Sequence, residues 1–229
     1  MKTGMIATLA GLALAGSASA SFVEFYTVKT QVTHVPTNTL LDIYKIYARF
    51  NGPTDTILNA FNLNGLAGAS MNGFYHQDNA SSASVLSTAF GTWNPALTGS
   101  ATLNRPYDSY LTIGGIASAT NGTSADPSWG SPLSWNRPDI PNNVNAGWFA
   151  PGGSIAGRVG QAGNTADSVI LGSFSVARGT TFGNGYSITI GYNSGIAGAP
   201  VQFANGFFLP APGAIALLGL AGLTGRRRR

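Results

Sequence analysis

The sequence contains no cysteine, few charged residues and no apolar run of transmembrane length. The absence of cysteine excludes disulfide bonds and thiol chemistry. Only 9% of the 229 residues are charged, whereas aromatic residues make up 10% and hydrophobic residues 44%. This balance is typical of a packed domain rather than of a disordered chain. The sequence therefore predicts a fold that depends on packing and hydrogen bonds alone.

Motifs that carry known chemistry are also missing. The two histidines, His34 and His76, do not form the H-E-x-x-H arrangement of a zinc site. There is no G-x-S-x-G elbow, no Walker A loop and no complete G-x-G-x-x-G. Glycoside hydrolysis needs a pair of carboxylates, but Glu24 is the single glutamate, and several aspartates lie in turn-like sequences. We therefore expect a non-catalytic protein without a metal site, and an unrecognised hydrolase is the third alternative.

The positive charge of the chain is concentrated at its two ends. The formal net charge is +4. Lys2 and the block Arg226–Arg229 supply five of the twelve basic residues, so seven basic residues face eight acidic ones in between. The central part is close to neutral and lacks the basic patch of a nucleic-acid-binding protein. No nucleic-acid partner is expected.

Residues 1–20 have the three parts of a secretory signal peptide. Lys2 provides the positive start, an apolar stretch follows from about residue 4 to residue 15, and small residues end at Ala18-Ser19-Ala20. The apolar stretch is short, and the ending matches the A-x-A type of cleavage site, at Ala18 and Ala20. We expect the export machinery to recognise residues 1–20 and cleavage to follow Ala20.

Residues 209–229 combine a proline motif, an apolar segment and a basic block. The thirteen residues between Pro212 and Arg226 carry no charge. As a helix they would rise about 20 Å, which is less than the ~30 Å hydrocarbon core of a bilayer. The positive-inside rule keeps an arginine block on the cytoplasmic side. The sequence predicts a short hydrophobic helix that holds the exported chain in the inner membrane, at least transiently.

This order of parts resembles the PEP-CTERM sorting signal of bacterial exported proteins. Alanine stands where the family has glutamate, and the corresponding residues are Pro210, Ala211, Pro212 and Gly213 for the motif and Arg226, Arg227, Arg228 and Arg229 for the basic stop. The resemblance implies processing by an exosortase-like membrane enzyme and delivery to the cell envelope, the cell surface or the extracellular matrix. Two alternatives stay open: a permanent short anchor, and a basic tail that binds anionic surfaces.

Between these ends, residues 21–208 alternate between apolar and polar positions with a period of two. From Tyr44 to Phe50, for example, every second residue is apolar and lies on one predicted face. Runs rich in β-branched and aromatic residues show strand character, at 21–33, 41–50, 169–177 and 186–192. The sequence predicts an all-β fold: a single antiparallel β-sandwich or jelly-roll-like domain.

A long irregular loop region is expected from about residue 114 to residue 163. It is rich in proline, glycine, asparagine and serine, and contains Trp129, Trp135 and Trp148. Loops of this length are often functional, and tryptophan rings beside amides and carboxylates suit sugar faces. These tryptophans are therefore possible ligand-binding residues, although burial as a satellite core is the favoured interpretation. Binding of carbohydrate or exopolysaccharide is accordingly the second candidate function.

Calcium is the only cofactor that the sequence suggests, and the suggestion is weak. Asp126 and Asp139 are hard oxygen donors of the kind that calcium prefers, but turn formation is the favoured explanation for them. Residues 41–62, 104–115 and 123–130 also resemble an uncharacterised exported module of the planctomycete type, which implies no known activity. Taken together, the sequence predicts an exported, non-catalytic protein of the cell surface or extracellular matrix with a structural or adhesive role.

Overall fold

Two antiparallel sheets form the structure, a computed structural model that describes residues 21–77, 85–96, 106–130, 135–141 and 146–208. The strands are β1 (Phe22–His34), β2 (Thr39–Phe50), β3 (Thr56–Gly65), β4 (Tyr110–Leu111), β5 (Ser124–Ala125), β6 (Trp148–Phe149), β7 (Ser168–Ala177), β8 (Tyr186–Asn193) and β9 (Gln202–Phe208). The four-stranded sheet has the order β1-β2-β7-β4, and the five-stranded sheet has the order β5-β6-β3-β8-β9. Short 3₁₀ turns lie at Val35–Thr37 and Pro127–Trp129. The predicted all-β sandwich is confirmed.

The strands that the alternating pattern predicted are β1, β2, β7 and β8. In β8 the apolar positions from Tyr186 to Tyr192 are buried, and the hydroxyl residues between them are half-buried. Glycines end the strand on both sides, because Gly185 and Gly195 adopt positive φ angles of 80° and 68° that other residues rarely take. Local sequence therefore defines this strand and both of its turns.

Strand β3 has no regular alternation, and the structure shows the reason. Its pairing with β8 shifts register twice, between Ile57 and Asn59 and between Phe61 and Asn64. Asn62 has a φ of 54° inside the second irregularity. Each extra residue moves the following side chains to the other face of the sheet, so the period of two is lost although the strand is central.

Strand β9 departs from the usual pattern, because two of its three phenylalanines point outward. Phe203 and Phe207 are exposed, whereas Ala204 and Gly206 point toward the interior of the sandwich. A Cβ on Gly206 would come within 2.7 Å of the Phe25 ring of β1. The small inward residues let the two edge strands β1 and β9 approach on one side of the sandwich.

The core fills the space between the two sheets and extends under the irregular segments. It includes the inward face of β2, the alternate residues of β8 and all four tryptophans. The expected loop region at 114–163 contains β5, β6 and a 3₁₀ turn. An antiparallel bridge between Thr56 and Arg158 connects it to β3. The segment therefore covers the open side of the core.

Candidate functional site

The three tryptophans that the sequence suggested for ligand binding lie in the core. The exposed fraction is 0% for Trp129 and 2% for both Trp135 and Trp148. Trp129 packs edge-on against Trp93 and Trp148, with ring centroids 5.4 and 5.9 Å apart. The indole nitrogen of Trp148 donates to the carbonyl oxygen of Thr112 at 3.0 Å. Burial in the core, the interpretation that the sequence favoured, is what the structure shows. The possible role of these tryptophans as a sugar-binding surface is therefore corrected, because burying these large rings stabilises the fold.

The two aspartates considered for calcium belong to a local hydrogen-bond network. Asp126 caps the 3₁₀ turn, accepting hydrogen bonds from the N–H and hydroxyl of Ser128 and from the N–H of Gly147. Asp139 pairs with Arg137 at 3.4 Å, and the same guanidinium donates to the carbonyl oxygen of Ser128 at 3.1 Å. Within the described ranges, no group of three or more metal-ligating side chains occurs.

A buried polar cluster brings the two histidines together, which their separation in sequence did not indicate. His76 Nδ1 lies 3.4 Å from Asp108 Oδ1, and the backbone N–H of Gln77 donates to the same oxygen at 3.2 Å. The Gln77 amide nitrogen lies 3.1 Å from Nε2 of His34. None of these four residues is more than 3% exposed. The cluster joins the end of β1 to the segments that precede β4.

Chemically, this cluster is a sealed polar contact rather than a catalytic base. Burial, the dominant effect, raises the pKa of Asp108, although the neighbouring His76 and the hydrogen bond from Gln77 oppose it. Nε2 of His76 lies 3.3 Å from the carbonyl oxygen of Pro138, which can only accept a hydrogen bond. That nitrogen is the one that receives a nucleophile's proton in a Ser-His-Asp triad. Here it faces the main chain.

A cleft of about 540 Å³ opens within the irregular region. Its lining is small and uncharged, and consists of Gly114, Gly115, Ile116, Ser118, Thr120, Asn121, Gly122, Pro151, Gly152, Gly153, Ser154, Ala156 and Ala162. The Asn121 amide donates to Thr112 Oγ1 at 2.8 Å and to the carbonyl oxygen of Ile116 at 3.0 Å. These bonds fix one wall. The cleft lies in the irregular region where the sequence analysis expected a binding surface, but the three tryptophans do not line it.

Four phenylalanines form a second surface feature on the outer side of the five-stranded sheet. Directly paired residues lie on the same face of a sheet, and the register pairs Phe149 with Asn59 and Phe61 with Thr189. Ser187 and Gly191 lie on the same face of β8 as Thr189. Gly191 pairs with Phe203 and Ser187 pairs with Phe207, so both phenylalanines also lie on this face. Phe149, Phe203 and Phe207 are 45%, 63% and 66% exposed, and Phe61 is half-buried, 6.2 Å from Phe203 between ring centroids. We call Phe61, Phe149, Phe203 and Phe207 the phenylalanine face.

Charge is distributed unequally between the two sheets. The strands of the five-stranded sheet contain no charged residue, whereas β1 and β2 carry Glu24, Lys29, Asp42, Lys45 and Arg49. On this face, the residues paired with or next to the phenylalanines are asparagine, threonine, serine and glycine. This outer face therefore suits an uncharged or apolar partner. The only sequence signal for it was the inverted alternation of β9.

Several predicted features lie outside the described residues. These are the signal peptide with Ala18 and Ala20, the short C-terminal helix, the motif Pro210, Ala211, Pro212 and Gly213, and the basic stop Arg226, Arg227, Arg228 and Arg229. In the part of the chain that is described, no helix has the length and hydropathy needed to cross a bilayer. Comparisons with protein-family models, with curated proteins and with solved structures found no match for this chain.

Proposed function

We propose that this protein is an exported, non-catalytic component of the cell surface or extracellular matrix, which its C-terminal segment sorts to that location. Residues 1–20 direct export, and residues 209–229 hold the chain at the membrane until an exosortase-like enzyme processes it. The domain of residues 21–208 then serves a structural or adhesive role, through surface contacts rather than through chemistry.

The observation that carries this proposal is the contrast between the interior and the surface of the domain. The only described histidine–carboxylate pair, His76 and Asp108, is fully buried. Of the four exposed phenylalanines among the described residues, Phe149, Phe203 and Phe207 instead lie on one charge-free sheet face. A domain with export-type ends, a sealed polar cluster and an uncharged aromatic face is better suited to binding a surface or polymer than to catalysis.

Deleting the C-terminal segment tests the sorting role. We expect the full chain to be found in the cell-envelope fraction, and a variant that lacks residues 209–229 to be released into the medium with the same unfolding temperature. A matched variant with Arg226–Arg229 replaced by serine separates the basic block from the apolar segment. If the truncated chain stays at the envelope in the same amount as the full chain, the proposed sorting role is wrong.

A second candidate function is the binding of a neutral saccharide in the glycine-lined cleft. The observation that favours it is the lining itself, because hydroxyl and amide groups without charged side chains suit the hydroxyls of an uncharged sugar. Gly152 provides the test, because a Cβ there would meet no atom within 4 Å and its φ lies outside the left-handed region. Gly152→Phe can therefore fill the cleft without straining the backbone.

The measurement is binding of the protein to the producing organism's own extracellular polysaccharide, with and without calcium. We expect saturable binding that Gly152→Phe abolishes and the control Gly152→Ala retains. Binding that survives Gly152→Phe in a folded protein would contradict the assignment to the cleft. A requirement for calcium would support calcium binding by Asp126 and Asp139.

A further inference from the structure

The phenylalanine face is continuous in sequence with the apolar segment of the C-terminal region. Strand β9 ends at Phe208, and four residues, 209–212, separate it from the uncharged stretch 213–225. Four residues span at most about 14 Å. When residues 213–225 enter a bilayer, the end of β9 must therefore lie close to the lipid surface.

Phe207 is the penultimate residue of β9, and Phe203 lies four residues earlier on the same outer face. That separation is about 13 Å along a strand. Phe61 and Phe149 extend the face across β3 and β6. The exposed rings thus lie on a surface that begins where the chain leaves the domain toward the membrane.

The distribution of charge gives the domain a preferred orientation. The five-stranded sheet has no charged residue to be desolvated, so its outer face can approach the acyl boundary at low cost. The four-stranded sheet carries ion pairs such as Glu24 with Arg49, which favour water. A contact with lipid therefore selects the phenylalanine face.

The length of the apolar segment explains why a second contact is useful. A thirteen-residue helix of about 20 Å is shorter than the ~30 Å core that it would have to cross. Marginal membrane anchors usually need a second signal for stable attachment. Exposed apolar rings next to the anchor supply such a signal without a longer helix.

We infer that the phenylalanine face lies on the lipid surface of the membrane while residues 213–225 are inserted, and that it orients the domain there. This inference rests on the proposed sorting segment. The ligand is the apolar boundary of a phospholipid bilayer, and the contact residues are Phe203 and Phe207, with Phe149 and Phe61 beside them.

The absence of cysteine makes the contact directly measurable, because single cysteines can be labelled without removing native ones. The full chain is produced in a host without the processing enzyme and reconstituted in phosphatidylethanolamine–phosphatidylglycerol vesicles that contain nitroxide-labelled lipids. Fluorophores are attached at Phe203→Cys, Phe207→Cys and Leu218→Cys. The matched control is Val28→Cys, at an exposed apolar position of β1 in the other sheet. Thermal unfolding confirms that each variant is folded.

We expect loss of fluorescence at positions 203, 207 and 218 and none at position 28. If the label at position 218 is quenched but the labels at positions 203 and 207 stay as bright as the one at position 28, this inference is wrong. The insertion of residues 213–225 would still stand. Absence of quenching at 218 would count against the sorting segment itself, and quenching at 203 and 207 in that case would support a lipid contact independent of it. If Phe203→Cys instead forms disulfide-linked dimers before labelling, the face binds a second copy and the inference is wrong.

Discussion

Two buried carboxylates show how differently one residue type behaves in this domain. Asp42 is 0% exposed but well supplied with donors: Lys29 Nζ at 2.8 Å, Gln31 Nε2 at 3.0 Å and the N–H of Gly179 at 3.1 Å. Burial alone would raise the pKa of Asp42, but these hydrogen bonds outweigh it and lower the pKa below its usual value. For Asp108, burial outweighs the opposing effects of His76 and of the backbone N–H groups of Gln77 and Ser109, and its pKa is raised. Asp42 therefore stabilises the fold when ionised, and Asp108 does not.

The first prediction concerns Asp42, which ties β1 and β2 to the turn after β7. Asp42→Asn should lower the free energy of unfolding at pH 7 by about 2 kcal/mol, because Lys29 is left without its partner and an amide group replaces one acceptor. A lowered folded-state pKa contributes stability above the unfolded pKa, and that stability is lost as pH falls through the folded pKa. The difference between the variants should thus shrink toward pH 3. Chemical denaturation at several pH values measures it.

Glu24→Gln is the matched control, because Glu24 and Arg49 form a surface ion pair of the same sheet. Such a pair contributes little in water, so this variant should unfold like the wild type. Equal losses in Asp42→Asn and Glu24→Gln would contradict the prediction.

The second prediction concerns Asp108 and has the opposite sign. Because burial raises its pKa, the contribution of Asp108 to stability is fully present below about pH 4 and is lost as pH rises through the folded-state value. Asp108→Asn keeps the acceptor for the Gln77 N–H but removes the charge. It should match the wild type in acid and become more stable than the wild type as pH rises through the folded-state pKa of Asp108. Thermal unfolding as a function of pH tests this, and parallel curves for the two proteins would refute it.

At the scale of elements, the irregular segments behave as part of the sandwich. The carbonyl oxygen of Gly157 accepts from the N–H of Ile57 at 2.8 Å, and the N–H of Val159 donates to the backbone carbonyl oxygen of Asp55 at 3.0 Å. Residues 157–159 thereby pair with the start of β3 like a short strand. The approach is so close that a Cβ on Gly157 would lie 2.0 Å from the carbonyl oxygen of Ile57. Glycine is required at position 157 because a side chain would not fit there, and not because of its φ angle.

The third prediction tests this contact. Gly157→Ala should destabilise the domain by about 2 kcal/mol, because the added methyl group forces the segment away from β3 and breaks the pairing. Gly152→Ala is the control in the same segment, since a Cβ at Gly152 would meet no neighbour within 4 Å. Denaturant unfolding compares the two variants. If the two substitutions are equally tolerated, the segment is not fastened to the sandwich through Gly157.

At the scale of the whole molecule, charge separates the domain from its ends. The calculated isoelectric point of 9.6 belongs to the full chain. Without Lys2 and Arg226–Arg229, eight acidic residues exceed seven basic ones. The basic character of the protein is therefore a property of its two terminal segments, and the domain itself is nearly neutral.

The fourth prediction follows from this separation. Protein extracted from the cell surface should focus below pH 7 and should end near Pro212, because processing removes the arginine block. The chain recovered from a host without the processing enzyme provides the basic reference. Isoelectric focusing with mass analysis of the C-terminal peptide measures both. A surface form that still focuses near the value of the full chain would indicate a permanent anchor instead.

The sequence by itself determined the β class, four long strands and the turns around β8, because these follow from local preferences: a period of two, β-branched residues and glycines at positive φ. It did not indicate β3, whose register shifts erase the period, nor the outward phenylalanines of β9, which depend on the position of Phe25 in another strand. Burial of Trp129 and the meeting of His34 with His76 were likewise decided only by the tertiary structure. Burial and pairing depend on residues distant in sequence, and no local pattern records which surfaces the folded chain will cover.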